Sequence, residues 1–223
     1  MPIELKDQKI GVAVDSVIFT IKDGELAVLL IKMKKKPYAG TWAFPGGLIE
    51  QAETTEHAAR RILKEQTGVS DVYLEQLGTF DEPKRDKAAR VVSVAYFALV
   101  PEAEIVLLDN EKYAEAALWP VSRLPRFAYD HERMAETAVQ RLRAKLEYTN
   151  VAWSLLPEDF TLTKLQQTYE SILGRALDKR NFRRKILSLG LIKPTGGKQS
   201  GGKHRPAQLY HFKQRKLVYM DIL

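Results

Sequence analysis

Short apolar runs along the first 120 positions predict the strands of a sheet. The runs are rich in β-branched residues, as in GVAVDSVIFTI at residues 11–21, and such residues favour buried strands. Runs of this kind cover residues 11–21, 26–33, 72–80, 91–100 and 117–119. Asp23-Gly24 lies between the first two runs and is a hairpin turn signal. We therefore expect these two strands to pair antiparallel.

Helical spacing occurs twice in the same region. One helix begins among the capping and acidic groups of residues 53–56 and ends at Gly68. A second covers residues 131–146, with apolar residues three or four positions apart. We expect this helix to close the first domain. His131 at its start is expected to cap or pack rather than to act as a base.

The last third of the chain predicts two short helices and a two-stranded wing. Thr161 is the expected cap of a helix that ends at Gly174, and Asp178 is the expected cap of the next helix. The buried side of that next helix is Phe182, Ile186 and Leu189. Apolar residues 191–192 and 209–212 flank a Gly- and Lys-rich loop, which predicts a hairpin with a basic tip.

The charge of the chain is concentrated in this last third. The net charge is +7. Residues 151–223 hold 14 Lys and Arg against 5 Asp and Glu, whereas residues 1–150 hold 21 against 23. A compact basic segment beside a nearly neutral one indicates a module that binds a polyanion.

Two short helices, the second with arginines pointing outward, form the arrangement that lets a helix enter the major groove of DNA. Arginine can read guanine there and asparagine can read adenine. Basic residues of a wing contact phosphates or the minor groove. The DNA-binding candidates are Lys179, Arg180, Asn181, Arg183 and Arg184 on the helix, and Lys198, Lys203, His204 and Arg205 on the wing. A solvated charge is the alternative for each residue singly, but the coincidence of charge, helix pair and wing favours DNA.

Composition disfavours several other classes of protein. The chain contains no cysteine, so it has no disulfide framework, thiolate metal site or cysteine nucleophile. No apolar run approaches membrane-spanning length, and the N-terminus lacks an apolar signal core. No Ser-His-Asp arrangement has convincing spacing. We expect a cytoplasmic protein without a membrane partner.

The stretch from Gly46 to Val69, GGLIEQAETTEHAARRILKEQTGV, resembles a Nudix box. An active box reads Gly-x5-Glu-x7-Arg-Glu-U-x-Glu-Glu-x-Gly-U, where U is aliphatic. The positions in register are Gly47, Glu53, Arg61, Leu63, Glu65, Gly68 and Val69. Ile62 and Gln66 stand where the motif has glutamates.

These two departures bear on catalysis, because residues 62, 65 and 66 are spaced to share one helix face. Three carboxylates there would hold Mg²⁺, which prefers several oxygen ligands and can polarise a pyrophosphate. Ile62 offers no oxygen and Gln66 only a neutral amide, which leaves Glu65 as a weak metal candidate. We expect no catalytic residue and no required cofactor, with Mg²⁺ needed only if hydrolysis remains. The resemblance implies that Glu53 and Arg61 form an ion pair that holds the loop to the helix.

The resemblance also implies a ligand pocket whose floor is the box. The segment LGTFDEPKRDKAARVVSVAYFALV is similar to the one that follows the box in Nudix proteins that handle ADP-ribose and related sugars. Arginines in its charged loop suit phosphate or carboxylate groups, although a solvated arginine is the alternative. The effector-binding candidates are Gly46, Gly47, Glu50, Glu65, Arg85 and Arg90.

An incomplete box followed by DKRNFRRKI and KHRPAQLYHF resembles the Nudix-related transcriptional regulators over nearly the entire chain. The resemblance implies an α/β (α+β) Nudix-like sandwich of mixed sheet and helices at residues 1–148. A linker at 149–160 and a small winged helix-turn-helix domain at 161–223 follow. It further implies a homodimer on palindromic double-stranded DNA operators near NAD-metabolism or sugar-utilisation genes. The effector would be ADP-ribose or a sugar such as a pentose.

Three functions remain in competition at this point. The leading hypothesis is a regulator whose Nudix domain senses ADP-ribose or a related sugar. The second is a metal-dependent ADP-ribose or nucleotide-sugar pyrophosphatase, for which Glu50, Glu53, Glu65 and Glu82 supply carboxylates. The third is an RNA-binding or scaffold protein, which predicts binding without sequence preference and with steep salt dependence.

Overall fold

The computed structural model describes residues 9–107, 113–199, 206–220 and 222. The strands are β1 Gly11–Lys22, β2 Glu25–Met33, β3 Trp42–Ala43, β4 Gly46–Leu48, β5 Tyr73–Phe80, β6 Val91–Leu99, β7 Tyr113–Pro120, β8 Phe160–Thr161, β9 Ile192–Gln199 and β10 Ala207–Phe212. The α-helices are α1 Thr55–Thr67, α2 His131–Tyr148, α3 Leu162–Leu173 and α4 Lys179–Ser188. Short 3₁₀ helices cover Glu102–Glu104, Val121–Arg123 and Val151–Leu155. Within these ranges no helix has the length and apolar character needed to cross a membrane.

The first sheet is built around the predicted β1–β2 hairpin. Asp23 and Gly24 both adopt positive φ angles, of 50° and 81°, as a two-residue turn between twisted strands requires. Strand β1 pairs antiparallel with β2 and parallel with β6. The order is β3-β2-β1-β6-β5, with β4 also paired to β1 and β7 to β2. Strand β7 is longer than the short strand expected at residues 117–119.

Helices cover both faces of this sheet. Successive side chains of a strand point to opposite faces, and in β1 Phe19 joins a cluster with Met134 of α2. Its neighbour Ile18 instead joins a cluster with Leu63 of α1. The mixed sheet therefore lies between α1 and α2, and the predicted sandwich is confirmed.

The C-terminal region forms the predicted helix pair and wing. Thr161 accepts a hydrogen bond from the Lys164 amide at 3.1 Å, and Gly174 ends α3 in the left-handed conformation with φ 70°. The rings of Tyr169 and Phe182 pack edge to face with centroids 5.2 Å apart, which joins α3 to α4. Strand β10 pairs with β9 and with the two-residue β8, so a third strand supports the wing.

The segment predicted as a linker is packed into the core. Val151 and Ala152 are fully buried within the 3₁₀ helix, and Leu156 is fully buried after it. These side chains belong to one cluster that contains residues of both the sheet domain and the winged helix. The apolar sequence VAWSLL explains the difference, because it contributes more by burial than it would as an exposed spacer.

Three described residues near the C-terminus contact the region at the end of α2. The Met220 and Ile222 amides donate to the carbonyls of Tyr148 and Glu147, each at 2.8 Å. The side chain of Asn150 accepts from the Val218 amide at 2.8 Å. Met220 and Ile222 were assigned to the winged-helix domain by sequence, yet both contact the end of α2.

Candidate effector pocket and nucleic-acid interface

The loop before α1 is fixed by the expected ion pair. The Arg61 guanidinium donates to both oxygens of the Glu53 carboxylate, each at 2.8 Å. These hydrogen bonds lower the pKa of Glu53 to about 2. Arg61 also reaches Glu65 Oε1 at 3.4 Å. Because Glu53 precedes the helix and Arg61 lies within it, the pair holds the glycine turn against α1.

The three helix positions that would carry metal ligands do not form a metal site. We expected residues 62, 65 and 66 to share one face, but only 3% of Ile62 and 3% of Gln66 is exposed. The Glu65 side chain is 39% exposed and contacts Arg61. Among the described residues, no group of three or more His, Asp or Glu side chains is placed to hold a metal ion. The donor set therefore does not fit Mg²⁺.

Two adjoining cavities lie beside the glycine turn. The smaller has a volume of about 170 Å³ and is bordered by Gly46, Gly47 and Arg85 among others. The larger has a volume of about 560 Å³. Arg85 and Tyr129 line both cavities. Gly46 packs so closely on β1 that a Cβ there would lie 2.1 Å from Asp15 Oδ1, so a glycine is required at this position.

A buried cluster of charged residues separates the two cavities. Arg85 Nη2 lies 2.7 Å from Asp130 Oδ1 and 3.3 Å from Asp15 Oδ2. The Ser93 hydroxyl donates to the same Asp15 oxygen at 2.6 Å, and His131 Nε2 lies 3.4 Å from it. Burial alone would raise the pKa of Asp15, but His131, Ser93 and Arg85 stabilise its charge and hold the pKa below its usual value.

His131 is a packing residue, as expected. It is 1% exposed, its ring stacks on Phe44, and its Nδ1 accepts the Phe44 amide hydrogen at 3.0 Å. That bond leaves the ring proton on Nε2, which faces Asp15. The ring is therefore packed between Phe44 and Asp15, with Nε2 buried 3.4 Å from Asp15 Oδ2.

The predicted effector-binding residues are only partly brought together. Gly46, Gly47 and Arg85 border the cavities. Glu50, Glu65 and Arg90 line neither of the two cavities. The Glu50 side chain is 72% exposed, and Arg90 donates to the Asp81 carbonyl at 3.0 Å. A direct contact of these three with an effector stays a prediction.

The outer side of α4 is the candidate DNA-reading surface. Asp178 caps the helix by accepting the Asn181 amide at 2.8 Å, and Phe182 and Ile186 are buried. Of the predicted DNA-binding residues on α4, those exposed are Lys179, Arg180, Asn181 and Arg184, and Leu187 and Ser188 are exposed as well. Arg184 donates to Asn181 Oδ1 at 3.0 Å. The helix thus presents three cations and an amide on its exposed side.

Arg183 and the wing tip differ from this pattern. Arg183 Nη2 donates to Thr163 Oγ1 at 2.9 Å, so the guanidinium links α4 to the start of α3. A role of Arg183 in DNA binding stays a prediction. Lys198 lies exposed on β9. Lys203, His204 and Arg205 lie outside the described residues.

Sequence reasoning missed the pocket residues that are distant in sequence. Asp15 comes from β1, Ser93 from β6, and Asp130 from the start of α2. A charged residue inside the apolar run GVAVDSVIFTI was the available signal, because an aspartate is rarely buried without a partner.

This geometry defines a class of protein. In this class a Nudix-type domain with a ligand pocket is joined through a buried segment to a winged helix whose exposed helix is basic. The NUDIX domain family matches residues 9–139, and the NrtR DNA-binding winged helix domain family matches residues 152–212. The chain therefore belongs to the NrtR family of Nudix proteins with a C-terminal winged helix.

Individual relatives agree with this assignment. The ADPR responsive transcriptional repressor NtrR of Acinetobacter baylyi is 38% identical over 202 residues, which cover 89% of this chain and 80% of the relative. The crystal structure of Shewanella oneidensis NrtR complexed with a 27mer DNA matches with a TM-score of 0.81 and 34% identity over 91% of this chain and 93% of that one. The NUDIX domain of the same NrtR, complexed with ADP ribose, matches with a TM-score of 0.55 and 32% identity over 60% and 90%.

Proposed function

We propose that this protein is a DNA-binding transcriptional regulator whose Nudix domain binds ADP-ribose as its effector. The observation that carries the proposal is the presence, in one continuous core, of a ligand pocket and a winged helix with an exposed basic helix. The Acinetobacter baylyi relative is named as an ADPR responsive repressor and covers both of these domains. A related sugar such as a pentose is the alternative effector.

The chemistry of the two cavities suits a nucleotide sugar. Lys84, Lys87 and Arg126 border the larger cavity and supply positive charge for a diphosphate. The rings of Tyr38 and Tyr129 pack at a tilt of 44° with centroids 4.2 Å apart and border the same cavity, so they offer an aromatic surface for a base. The volume of about 560 Å³ is within the range of small-molecule sites.

The exposed side of α4 supports the DNA half of the proposal. A helix with three outward cations at the front of a winged helix matches the way such helices read the major groove. One small winged helix makes few contacts, so we also propose a homodimer on a palindromic operator. DNA is the target, and we therefore place the protein in the cytoplasm.

Loss of hydrolysis is the third part of the proposal. Catalysis by a Nudix box needs a metal held by helix carboxylates, but Ile62 and Gln66 are buried and neither is a carboxylate. Glu65 is left as the single carboxylate of the three positions. We infer that the pocket binds a nucleotide sugar without cleaving it.

Two measurements test this function. Calorimetric titration with ADP-ribose, with ADP and ribose 5-phosphate as controls, should show binding of the intact molecule. Fluorescence anisotropy with a labelled upstream duplex should show specific binding at physiological salt, while a scrambled duplex binds more weakly. Equal affinity for both duplexes would favour the nonspecific alternative. Release of AMP during incubation with Mg²⁺ or Mn²⁺ would favour the hydrolase.

A further inference from the structure

The carboxylate at the start of α2 does not cap its helix. Asp130 occupies the N-cap position, yet its side chain accepts no helix amide. Thr54, Thr161 and Asp178 all cap their own helices in the same chain. The Asp130 carboxylate is instead held by Arg85, with Nη2 at 2.7 Å and Nε at 3.0 Å from Oδ1. A residue type that favours capping is thus engaged elsewhere.

The backbone next to Asp130 is strained. Tyr129 has a φ of 54°, a conformation that is unfavourable for a bulky residue. Its ring packs on Tyr38 with centroids 4.2 Å apart and borders both cavities. The start of α2 is therefore a strained junction on the wall of the pocket.

Arg85 is already paired with carboxylates. One guanidinium faces two carboxylates, those of Asp15 and Asp130. An anionic group of a ligand competes with these carboxylates for Arg85, because one guanidinium already faces two negative charges. Asp130 is the more accessible, with its side chain 16% exposed against 10% for Asp15, and it borders the larger cavity.

We propose that Asp130 is a positioning residue with two alternative partners. Without effector its carboxylate is bound by Arg85. When an anionic group of the effector takes Arg85, Asp130 turns to the free amides in the first turn of α2 and caps the helix. The exchange rests on the proposed function, because it requires an anionic effector in the pocket.

The other end of α2 connects this exchange to the winged helix. Arg143 Nε donates to the Ile172 carbonyl at the end of α3, at 2.9 Å. A groove of about 1000 Å³ lies between α2, the β1–β2 turn and α3. In this proposal α2 shifts towards that space, and the Arg143 contact carries the shift to α3. Helix α4 packs on α3 through Tyr169 and Phe182, so its orientation changes as well.

Three variants of the full-length protein test the exchange. Asp130→Ser keeps a capping group but cannot pair with Arg85, Asp130→Ala loses both, and Glu132→Gln removes an exposed charge from the same helical turn as a control. We expect Asp130→Ser to bind ADP-ribose about 5- to 10-fold more tightly than the wild type, because no charge-assisted pair has to be broken and the cap is already formed. The effect of ADP-ribose on DNA affinity should fall towards a factor of one. Glu132→Gln should keep both wild-type values.

Hydrogen exchange supplies a direct readout of the cap. In the wild type, ADP-ribose should slow exchange in the first turn of α2, whereas Asp130→Ala should show no such change. The proposed exchange of partners would be overturned if Asp130→Ser binds ADP-ribose with wild-type affinity and ADP-ribose changes its DNA affinity as much as in the wild type. Loss of ADP-ribose binding in that variant would also overturn it, since Asp130 would then contact the effector. A wild-type protein that does not bind ADP-ribose would contradict the proposed function itself.

Discussion

Replacing Ile62 by glutamate would restore one carboxylate of the Nudix motif, and the structure predicts that it would destabilise the fold instead of building a metal site. Ile62 is 3% exposed and packs with Val14, Ala59 and Tyr96. The change removes part of a buried aliphatic side chain, at about 1–2 kcal/mol. It also buries a carboxyl group without a partner, at about 1–3 kcal/mol. We expect the free energy of unfolding to fall by about 2–5 kcal/mol in total at neutral pH.

The pH dependence of this loss distinguishes burial from other causes. Burial raises the pKa of the new carboxyl group in the folded state. The ionisation penalty is then absent below the unfolded pKa of about 4.3 and grows as the pH rises above it. Urea denaturation at about pH 4 and pH 7 measures this change, with Ile62→Val as a control that costs about 0.5–1.5 kcal/mol at both values. Wild-type stability at both pH values would refute the buried placement of residue 62.

Three further variants test separate parts of the molecule. Glu53→Gln breaks the ion pair with Arg61, which lowers the pKa of Glu53 to about 2. The wild type should therefore be more stable than the variant above about pH 4.3, and this difference should vanish as the pH falls through 2; a pH-independent difference in Tm would argue against this. Asp178→Ala should cost about 1 kcal/mol through loss of the α4 cap, with Asp178→Asn close to wild type in urea denaturation; equal stability of all three proteins would exclude the cap. Arg184→Ala should weaken DNA binding and lower the slope of log affinity against log salt concentration by about 1, while Arg60→Ala on α1 should change neither. Equal DNA affinities of the wild type and Arg184→Ala in anisotropy titrations would remove α4 from the interface.

The features that the sequence predicted well are local ones. The turn at Asp23-Gly24, the caps at Thr161 and Asp178, and the stops at Gly68 and Gly174 each depend on a few neighbouring residues. Backbone conformation and capping chemistry decide them, so a short window of sequence is sufficient.

The features that were missed depend on contacts between distant segments. Asp15 meets Ser93 because β1 and β6 pair in parallel, and Arg85 meets Asp130 across 45 positions of sequence. Spacing on a helix could not show that Ile62 turns to the sheet, because the same face can point to a cavity or to the core. The contact of Arg183 with Thr163 was not predicted for a similar reason, since Thr163 lies on another helix.

The most direct test of the central claim is the affinity of the full-length protein for its upstream operator with and without saturating ADP-ribose. The account predicts a change of about 5- to 150-fold in Kd, and an equal change in ADP-ribose affinity when operator DNA is saturating, because coupling between two binding sites is reciprocal. If the protein binds both ADP-ribose and the operator, an operator affinity that is the same with and without ADP-ribose would contradict the account.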